Sequence, residues 1–266
     1  MPTALVTGST DGIGLETARQ LLQRGWRVLL HGRDSARAMS ALKALGATGA
    51  RAATVHGDLA SMAQVQGLAA EVRQSADALD VLLLNAGVYE SKRSVTADGF
   101  ERTMAVNHFA HLLLALALKP LLSAAPSPRV VWVSSGVHRG ARLDPADLDL
   151  GRGWDPYGSY ASSKLANAVC AAEMARRPEH KGILSLSLHP GVVTTKLLTR
   201  NFGSAGVPVE EGARTSLHCA LSPGLESRNG AYFNHCAPAE PDPRVKDPAF
   251  GRALWDQSLV RLKAWL

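Results

Sequence analysis

A tyrosine and a lysine four positions apart, Tyr160 and Lys164, are separated only by Ala161, Ser162 and Ser163 in the stretch SYASSK. On a helix, positions i and i+4 lie on one face about a turn apart, so both side chains would look into the same space. Tyrosine is a poor acid at neutral pH, with a reference pKa of about 10. A neighbouring ammonium favours the phenolate and is expected to lower that pKa, toward the range where a phenol exchanges a proton near neutrality. The small residues between the two leave room for a ligand. Without context, such a pair is more often a solvated helix face. Tyr157 is the rival tyrosine, but position 161 is alanine, so it lacks the lysine.

A second candidate lies near the start, in TGSTDGIG from Thr7 to Gly14. Glycine at 8, 12 and 14 lets the chain turn sharply and lets a ligand approach where a side chain would block it. A helix opening near Gly12 would aim unpaired N–H groups and its positive dipole end at a phosphate. Glycines alone are weak evidence, because tight strand–helix turns use them anyway. The spacing G-x-x-x-G-x-G also departs from the usual G-x-G-x-x-G dinucleotide turn.

The elements that would position these residues follow from hydrophobic periodicity. Strands are expected at Ala4–Thr7, Val28–His31, Ala53–His56, Val81–Asn85, Val130–Ser134, Leu184–His189 and Ala231–Phe233. Helices are expected at Ile13–Arg24, Ser35–Leu45, Ala63–Gln74, Phe100–Leu122, Ser159–Arg176 and Val209–Leu221, the last opened by Pro208. Strands apolar throughout and joined by helices imply a parallel sheet covered on both faces. Right-handed crossovers make it an α/β, doubly wound sheet of the Rossmann type. No linker, repeat or low-complexity stretch divides residues 1–266, so a single domain is expected. Gly136–Gly158, rich in Gly, Arg, Asp and Pro, reads as a long loop. It and the stretch Lys196–Gly206 are expected to act as mobile lids.

At the end of the second strand, a carboxylate would bond a ribose 2′-hydroxyl and select NAD. Here VLLH is followed by Gly32 and Arg33. A guanidinium at this turn can grip a 2′-phosphate through paired hydrogen bonds. Asp34 complicates the reading, and an exposed loop arginine is the alternative. With the expected fold, Arg33 favours NADP(H), NAD(H) remaining open.

Composition bounds the rest. The 266 residues are 46% hydrophobic and 20% charged, as in an ordinary soluble protein. The net charge of +6 is carried by scattered basic residues, which indicates no nucleic-acid partner. Three cysteines without C-x-x-C spacing read as reduced, buried intracellular thiols. No signal peptide precedes TALVT, and LLLALAL from Leu112 to Leu118 is too short to span a bilayer. A cytoplasmic protein without a membrane span is expected. His108 and His111 lack a third ligand at fitting spacing, so no metal is expected and packing or surface roles are. Trp255, Leu259, Leu262 and Leu266 form a stripe at helical spacing, expected to dock on the body or on a second subunit. Homo-oligomerisation is left open.

TGSTDGIG resembles the opening motif of the classical short-chain dehydrogenases/reductases, and further motifs follow in that family's order. GDL at Gly57–Leu59 resembles its adenine-side acidic turn, and NAG at Asn85–Gly87 the motif closing the fourth strand. VNHFAH from Val106 carries the helix asparagine, VSS at Val133–Ser135 ends the fifth strand, and YASSK follows. HPGVVTT from His189 resembles the turn over the nicotinamide. The resemblance covers Thr3 to about Thr195, and the tail from Gly230 is similar to the retinol-dehydrogenase branch.

The resemblance implies a catalytic set of Asn107, Ser135, Tyr160 and Lys164. Tyr160 would be the acid/base, and Lys164 would hold the nicotinamide ribose as well as tune Tyr160. Ser135 would bond the substrate oxygen, with Ser134 as its rival on the strand, and Asn107 would hold a relay water. Cofactor contacts would come from Gly8, Ser9, Thr10, Gly12, Ile13, Gly14, Arg33, Asp58, Leu59, Asn85, Ala86, Gly87, Tyr160, Lys164, Pro190, Gly191, Val193 and Thr195. The pair Arg33-Asp34 also occurs in relatives that use NADP. Ser135 and Tyr160 are farther apart than in typical members, a lengthening that the retinol-like branch shares and that bears on substrate shape.

The expected activity is interconversion of an alcohol with its ketone or aldehyde, on a small-molecule and lipophilic substrate. A non-catalytic dinucleotide-binding regulator is the alternative from another class; it would be expected to lack Tyr160 or Lys164. A sugar-nucleotide epimerase would carry a T-G-x-x-G-x-x-G turn, which this sequence does not match.

Overall fold

Alternation along the strands decides the architecture. In the computed structural model, which describes residues 1–46 and 51–266, Ala4 and Val6 face one way from the first strand and Leu5 the other, all fully buried. A strand buried on both faces needs helices on both. β1 (Thr3–Val6), α1 (Gly12–Gln23), β2 (Arg27–Gly32), α2 (Ser35–Ala44), β3 (Ala52–His56), α3 (Met62–Ser75) and β4 (Val81–Leu84) alternate through the first third. Then come α4 (Arg102–Met104), α5 (Ala110–Ala117), α6 (Lys119–Ala124), β5 (Arg129–Val133), α7 (Pro156–Arg176) and β6 (Leu184–His189). α8 (Lys196–Phe202), α9 (Val209–Leu221), β7 (Tyr232–Asn234), β8 (Ala237–Pro238), α10 (Pro243–Lys246) and α11 (Pro248–Leu262) complete the chain. The sheet order is β3-β2-β1-β4-β5-β6-β7-β8, parallel except for the last pair. This is a doubly wound, Rossmann-like α/β domain. The strand order reverses between β1 and β4, which opens a crevice at the carboxyl ends.

One core joins Leu21 of α1 and Leu217 of α9 to Val6, Val28 and Leu186. The opposite core joins Val65 of α3, Leu112 of α5 and Leu165 of α7 to Leu5, Leu82 and Trp132.

Four expectations need correction. The long helix over Phe100–Leu122 is broken: Glu101 caps α4, accepting Met104 N–H at 2.8 Å. Residues 105–109 then form a π turn, and Leu118 interrupts again before Pro120 in the first turn of α6. α7 starts at Pro156, three residues early, because Asp155 caps it by accepting Gly158 N–H at 2.8 Å. Pro208 is the N-cap of α9 rather than its first helical residue. The loop before α7 is packed rather than free: Ala141, Leu143, Leu148 and Leu150 are buried. Arg261 holds Asp149 at 2.8 Å, and Trp154 donates to Glu101 at 3.2 Å.

α8, β8 and α10 lay outside the expected elements. The terminal apolar stripe does dock on the body, with Trp255 and Leu262 buried against α7 and its surroundings, while Leu266 is 64% exposed. Cys170 and Cys219 are buried and Cys236 half-buried, all as free thiols. Among the described residues, no helix is long and apolar enough to cross a membrane and no side-chain cluster is suited to a metal.

Candidate active site

The loops leaving β1, β2, β3, β4, β5 and β6 at their carboxyl ends, with the start of α7, enclose a cleft of about 790 Å³. The glycine turn forms one wall. Gly8 has φ +64°, and a Cβ there would stand 2.9 Å from Ala86 Cα. At Gly14 a Cβ would meet the Asn85 amide nitrogen at 2.5 Å. The turn therefore tolerates no side chain at either position, and α1 opens onto the cleft with first-turn N–H groups that lack helical partners. Asp11 caps that helix, accepting Gly12 N–H at 2.8 Å.

Gly8, Thr10, Gly12, Ile13, Gly14, Arg33, Asp58, Leu59, Asn85, Ala86 and Gly87 all line the cleft. Pro190, Gly191, Val193 and Thr195 face them from the far side. Ser9 does not join them. Its buried hydroxyl accepts His31 N–H at 2.8 Å and ties the turn to β2. Arg33 and Arg37 stand together at one end. The Asp34 carboxylate is engaged elsewhere, capping α2 through Arg37 N–H at 2.9 Å and pairing with the Arg37 guanidinium at 3.4 Å.

At the other end, Ser135, Tyr160 and Lys164 line the cleft. Ser135 extends from β5 and shares this corner of the cleft with the Tyr160 phenol. Ser134 points the opposite way along the strand, buried, and donates to Lys164 O at 2.6 Å. Lys164 is buried, its Nζ donating to Val133 O at 3.0 Å and lying 5.6 Å from the Tyr160 ring centre. Gly87 keeps this corner open, since a Cβ there would lie 3.2 Å from Nζ. Tyr157 is 46% exposed at the cleft mouth.

Asn107 sits in the π turn, fully buried and behind the cleft wall. Its side chain clamps Val88 in both directions, accepting N–H at 2.8 Å and donating to the carbonyl at 3.0 Å. It also donates to Ser163 Oγ at 2.9 Å.

The electrostatics differ from the expectation on one point. Burial pushes the Tyr160 phenol up to about 12, against a smaller lowering by the Ser135 hydroxyl. Burial pulls Lys164 down to about 8. Desolvation of the phenolate thus decides the shift, and the Lys164 charge is itself costly in the same place. At neutral pH the phenol is a held proton.

Sequence reasoning missed several residues of the site. His31 is buried beneath the glycine turn: Nδ1 accepts Gly8 N–H at 3.0 Å, and Nε2 lies 3.0 Å from Gly57 O. His138 sits behind Ser135, with Nδ1 2.6 Å from Ser135 O and Nε2 accepting Asp242 N–H at 3.0 Å. Carbonyls only accept, so Nε2–H of His31 and Nδ1–H of His138 are the donors. Both rings have pKa values lowered, chiefly by burial. His189 also lines the cleft and is lowered to about 4, chiefly by burial. A histidine inside an otherwise apolar strand, as in VLLHG, was the available signal for His31.

The chain is similar to known proteins over nearly its whole length. The family model described as short chain dehydrogenase matches residues 2–204. Mouse retinol dehydrogenase 14 is 36% identical, over 97% of this chain and 85% of its own length. Mouse polyprenol dehydrogenase is 37% identical, over 96% and 82%. Among solved structures, an uncharacterised protein from Mycobacterium paratuberculosis superposes with a TM-score of 0.81, 30% identity, and coverage of 99% and 94%. An NADPH-bound carbonyl reductase from chicken fatty liver gives 0.69, 26%, 88% and 96%. The chain belongs to the short-chain dehydrogenase family, in its retinol-dehydrogenase-like branch, and is an oxidoreductase acting on CH–OH groups.

Proposed function

We propose that this enzyme interconverts a lipophilic alcohol and its aldehyde or ketone with NADP(H) as the preferred cofactor. The observation that carries the reading is the meeting of Ser135, Tyr160 and Lys164 in one corner, with Lys164 Nζ 5.6 Å from the Tyr160 ring centre, at the end of a cleft floored by side-chain-free glycines.

The residues fit a nicotinamide dinucleotide. The cradle at Gly8 and Gly14, beside the α1 N-terminus, suits a pyrophosphate, and Lys164 suits the nicotinamide ribose. Bound cofactor supplies or accepts the hydride. Tyr160 donates its phenolic proton to the carbonyl oxygen in reduction and takes the alcohol proton in oxidation. Ser135 orients that oxygen beside the phenol. Lys164 is largely charged at pH 7 and stabilises the phenolate left after the proton departs. Asn107 holds the β4–α4 connection against α7 through Val88 and Ser163.

The preference for NADP(H) rests on Arg33 and Arg37 lining the adenine end while Asp34 is occupied by the α2 cap. A lipophilic substrate is supported by the apolar mouth, where Val137, Tyr157, Val192, Leu197, Leu198 and Phe202 gather. The relatives named as retinol and polyprenol dehydrogenases point the same way.

The test is reduction of retinaldehyde, a polyprenal and short water-soluble ketones with NADPH and with NADH. Faster kcat/KM on the long apolar aldehydes with NADPH is expected. A preference for short polar ketones would overturn the substrate class, and a preference for NADH the cofactor.

A further inference from the structure

Asn107 belongs to the proposed catalytic set, and its bonds to Val88 and Ser163 hold the side chain, not the main chain. The main-chain anchor lies one turn along the helix. His111 is fully buried in α5, and its Nδ1 lies 3.0 Å from Asn107 O. Its Nε2 lies 3.2 Å from Thr7 Oγ1, the first side chain beyond β1. The partners dictate the protonation. Asn107 O can only accept, so Nδ1 carries the proton. Thr7 Oγ1 already accepts two backbone N–H groups, Asn85 at 2.8 Å and Ala86 at 3.0 Å. Its own proton then has two acceptors within reach, His111 Nε2 and Leu83 O at 3.3 Å. A neutral Nδ1–H ring leaves Nε2 bare to take it. Burial first, and the Lys164 charge second, hold His111 well below its ordinary pKa, which keeps the ring in this neutral form.

The chain of bonds is continuous. Asn85 and Ala86, on the cleft floor, donate to Thr7; Thr7 meets His111; His111 donates to the Asn107 carbonyl. The Asn107 amide donates to Ser163 Oγ, which donates to Tyr160 O at 2.8 Å. The π turn matters here. Ala110 N–H reaches back to Ala105 O, and such a widened turn presents carbonyls to donors outside the helix ladder. From this we infer that His111 is a positioning residue, a joint that registers the cofactor-binding turn against Asn107 and the helix bearing Tyr160. The inference rests on the functional reading above for Asn107 and Tyr160, but not for the bond chain itself.

His108 supplies the contrast. It is equally buried, but its Nε2 meets Ser258 Oγ of α11 at 2.8 Å, away from the cleft. A histidine used for packing alone should behave like His108.

The experiment compares His111→Phe, His111→Gln, Thr7→Val and His108→Phe in the full chain, measuring kcat, NADPH affinity by fluorescence titration and thermal midpoint. Losing a buried bond at each end of the ring should lower kcat and weaken NADPH by about tenfold in His111→Phe. His111→Gln, which keeps a donor and an acceptor, should recover most of both. The His111→Phe/Thr7→Val double variant should lose little more than either single variant, because both cut one chain. His108→Phe should lower the midpoint and leave kcat and affinity within about twofold. If His111→Phe matches His108→Phe in this, or the double variant is additive, the inference is overturned. Should the phenylalanine variant fail to fold, ¹⁵N NMR of the wild type decides. An Nδ1–H tautomer for His111 that does not titrate is expected, and an Nε2–H tautomer overturns the inference. Tyr160→Phe, assayed alongside, separates the two readings: retained turnover there would sink the catalytic assignment while leaving the affinity and NMR results to judge His111.

Discussion

Lys196, the first residue of α8, pairs with Asp11, the N-cap of α1, at 2.6 Å across the cleft. The flap that carries Lys196 is closed at its base, where Thr194 N–H donates to Val207 O at 2.9 Å and Val207 N–H to Val192 O at 2.8 Å. These bonds tie the two ends of the segment together, and the ion pair is its one charged contact with α1 among the described residues. Both side chains are more than half exposed, so the pair contributes little in salt. Lys196→Ala should speed NADPH release by no more than about fivefold at low ionic strength, fading as salt is added. Stopped-flow displacement measures this; an effect that persists in high salt would refute the ion pair as its cause. Because the loop before α7 is packed, hydrogen exchange that slows on cofactor binding should be confined to 194–206.

Tyr160→Phe removes one hydroxyl. Turnover should fall by about 10²–10⁴-fold while NADPH affinity and thermal midpoint hold. Lys164→Ala should lose cofactor affinity as well, since it removes the proposed ribose contact. Tyr157→Phe should remain active. The kcat/KM profile should bend downward near pH 8, where Lys164 loses its charge, and not near the ordinary phenol range, because Tyr160 is held up to about 12. A limb at pH 10 that disappears in Tyr160→Phe would show the phenol titrating first.

The arginine pair separates the two dinucleotides. Arg33→Asp should weaken NADPH by about 10–100-fold, from the loss of charge-assisted hydrogen bonds, with little effect on NADH. Arg37→Ala should show a smaller change of the same sign, as Arg37 is shared with Asp34. Equal weakening of both cofactors would place neither arginine at a 2′-phosphate.

Buried histidines should make the fold sensitive to mild acid. His31, His108, His111 and His138 all have folded pKa values below the usual 6.5, mainly through burial. The unfolded chain then binds more protons below that value, so stability rises with pH up to about 6.5 and levels off above. It is lost as pH falls from about 6.5 toward the folded values. His108, lowered to about 3, alone accounts for roughly a few kcal/mol at the acid extreme. Urea unfolding at pH 7.5, 6 and 5 should give a falling ΔG, and His108→Phe should reduce the slope below pH 6. A flat ΔG over that range would contradict the burial of these rings.

The sheet and the cleft were legible because apolar runs and the glycine turn are local signals. Strand limits slipped by one residue where side chains end the ladder, as Thr7 does by accepting Asn85 and Ala86 N–H. The broken helix before β5 was not legible, since LLLALAL continues the apolar period through a break at Leu118 where the backbone alone changes. The Tyr160 pKa went astray for a similar reason. The ammonium beside the phenol is visible in the sequence, but the dense surroundings that desolvate both are not. The histidines at 31 and 138 find both their partners at backbone atoms and His111 finds one of its two there, and backbone groups leave no mark on residue type.

The His138 bridge gives the tail a say in the chemistry. The family model ends at residue 204, yet Asp242 N–H, well beyond it, holds the ring that in turn grips the carbonyl of Ser135. Arg244 reinforces the tether by donating to Ala141 O at 2.9 Å. The end of the chain beyond residue 204 is thus not a detachable accessory: grafting the tail of a relative onto this core would shift the serine before it altered any surface a substrate touches, so chimeras meant to exchange specificity must carry position 138 and its partner together.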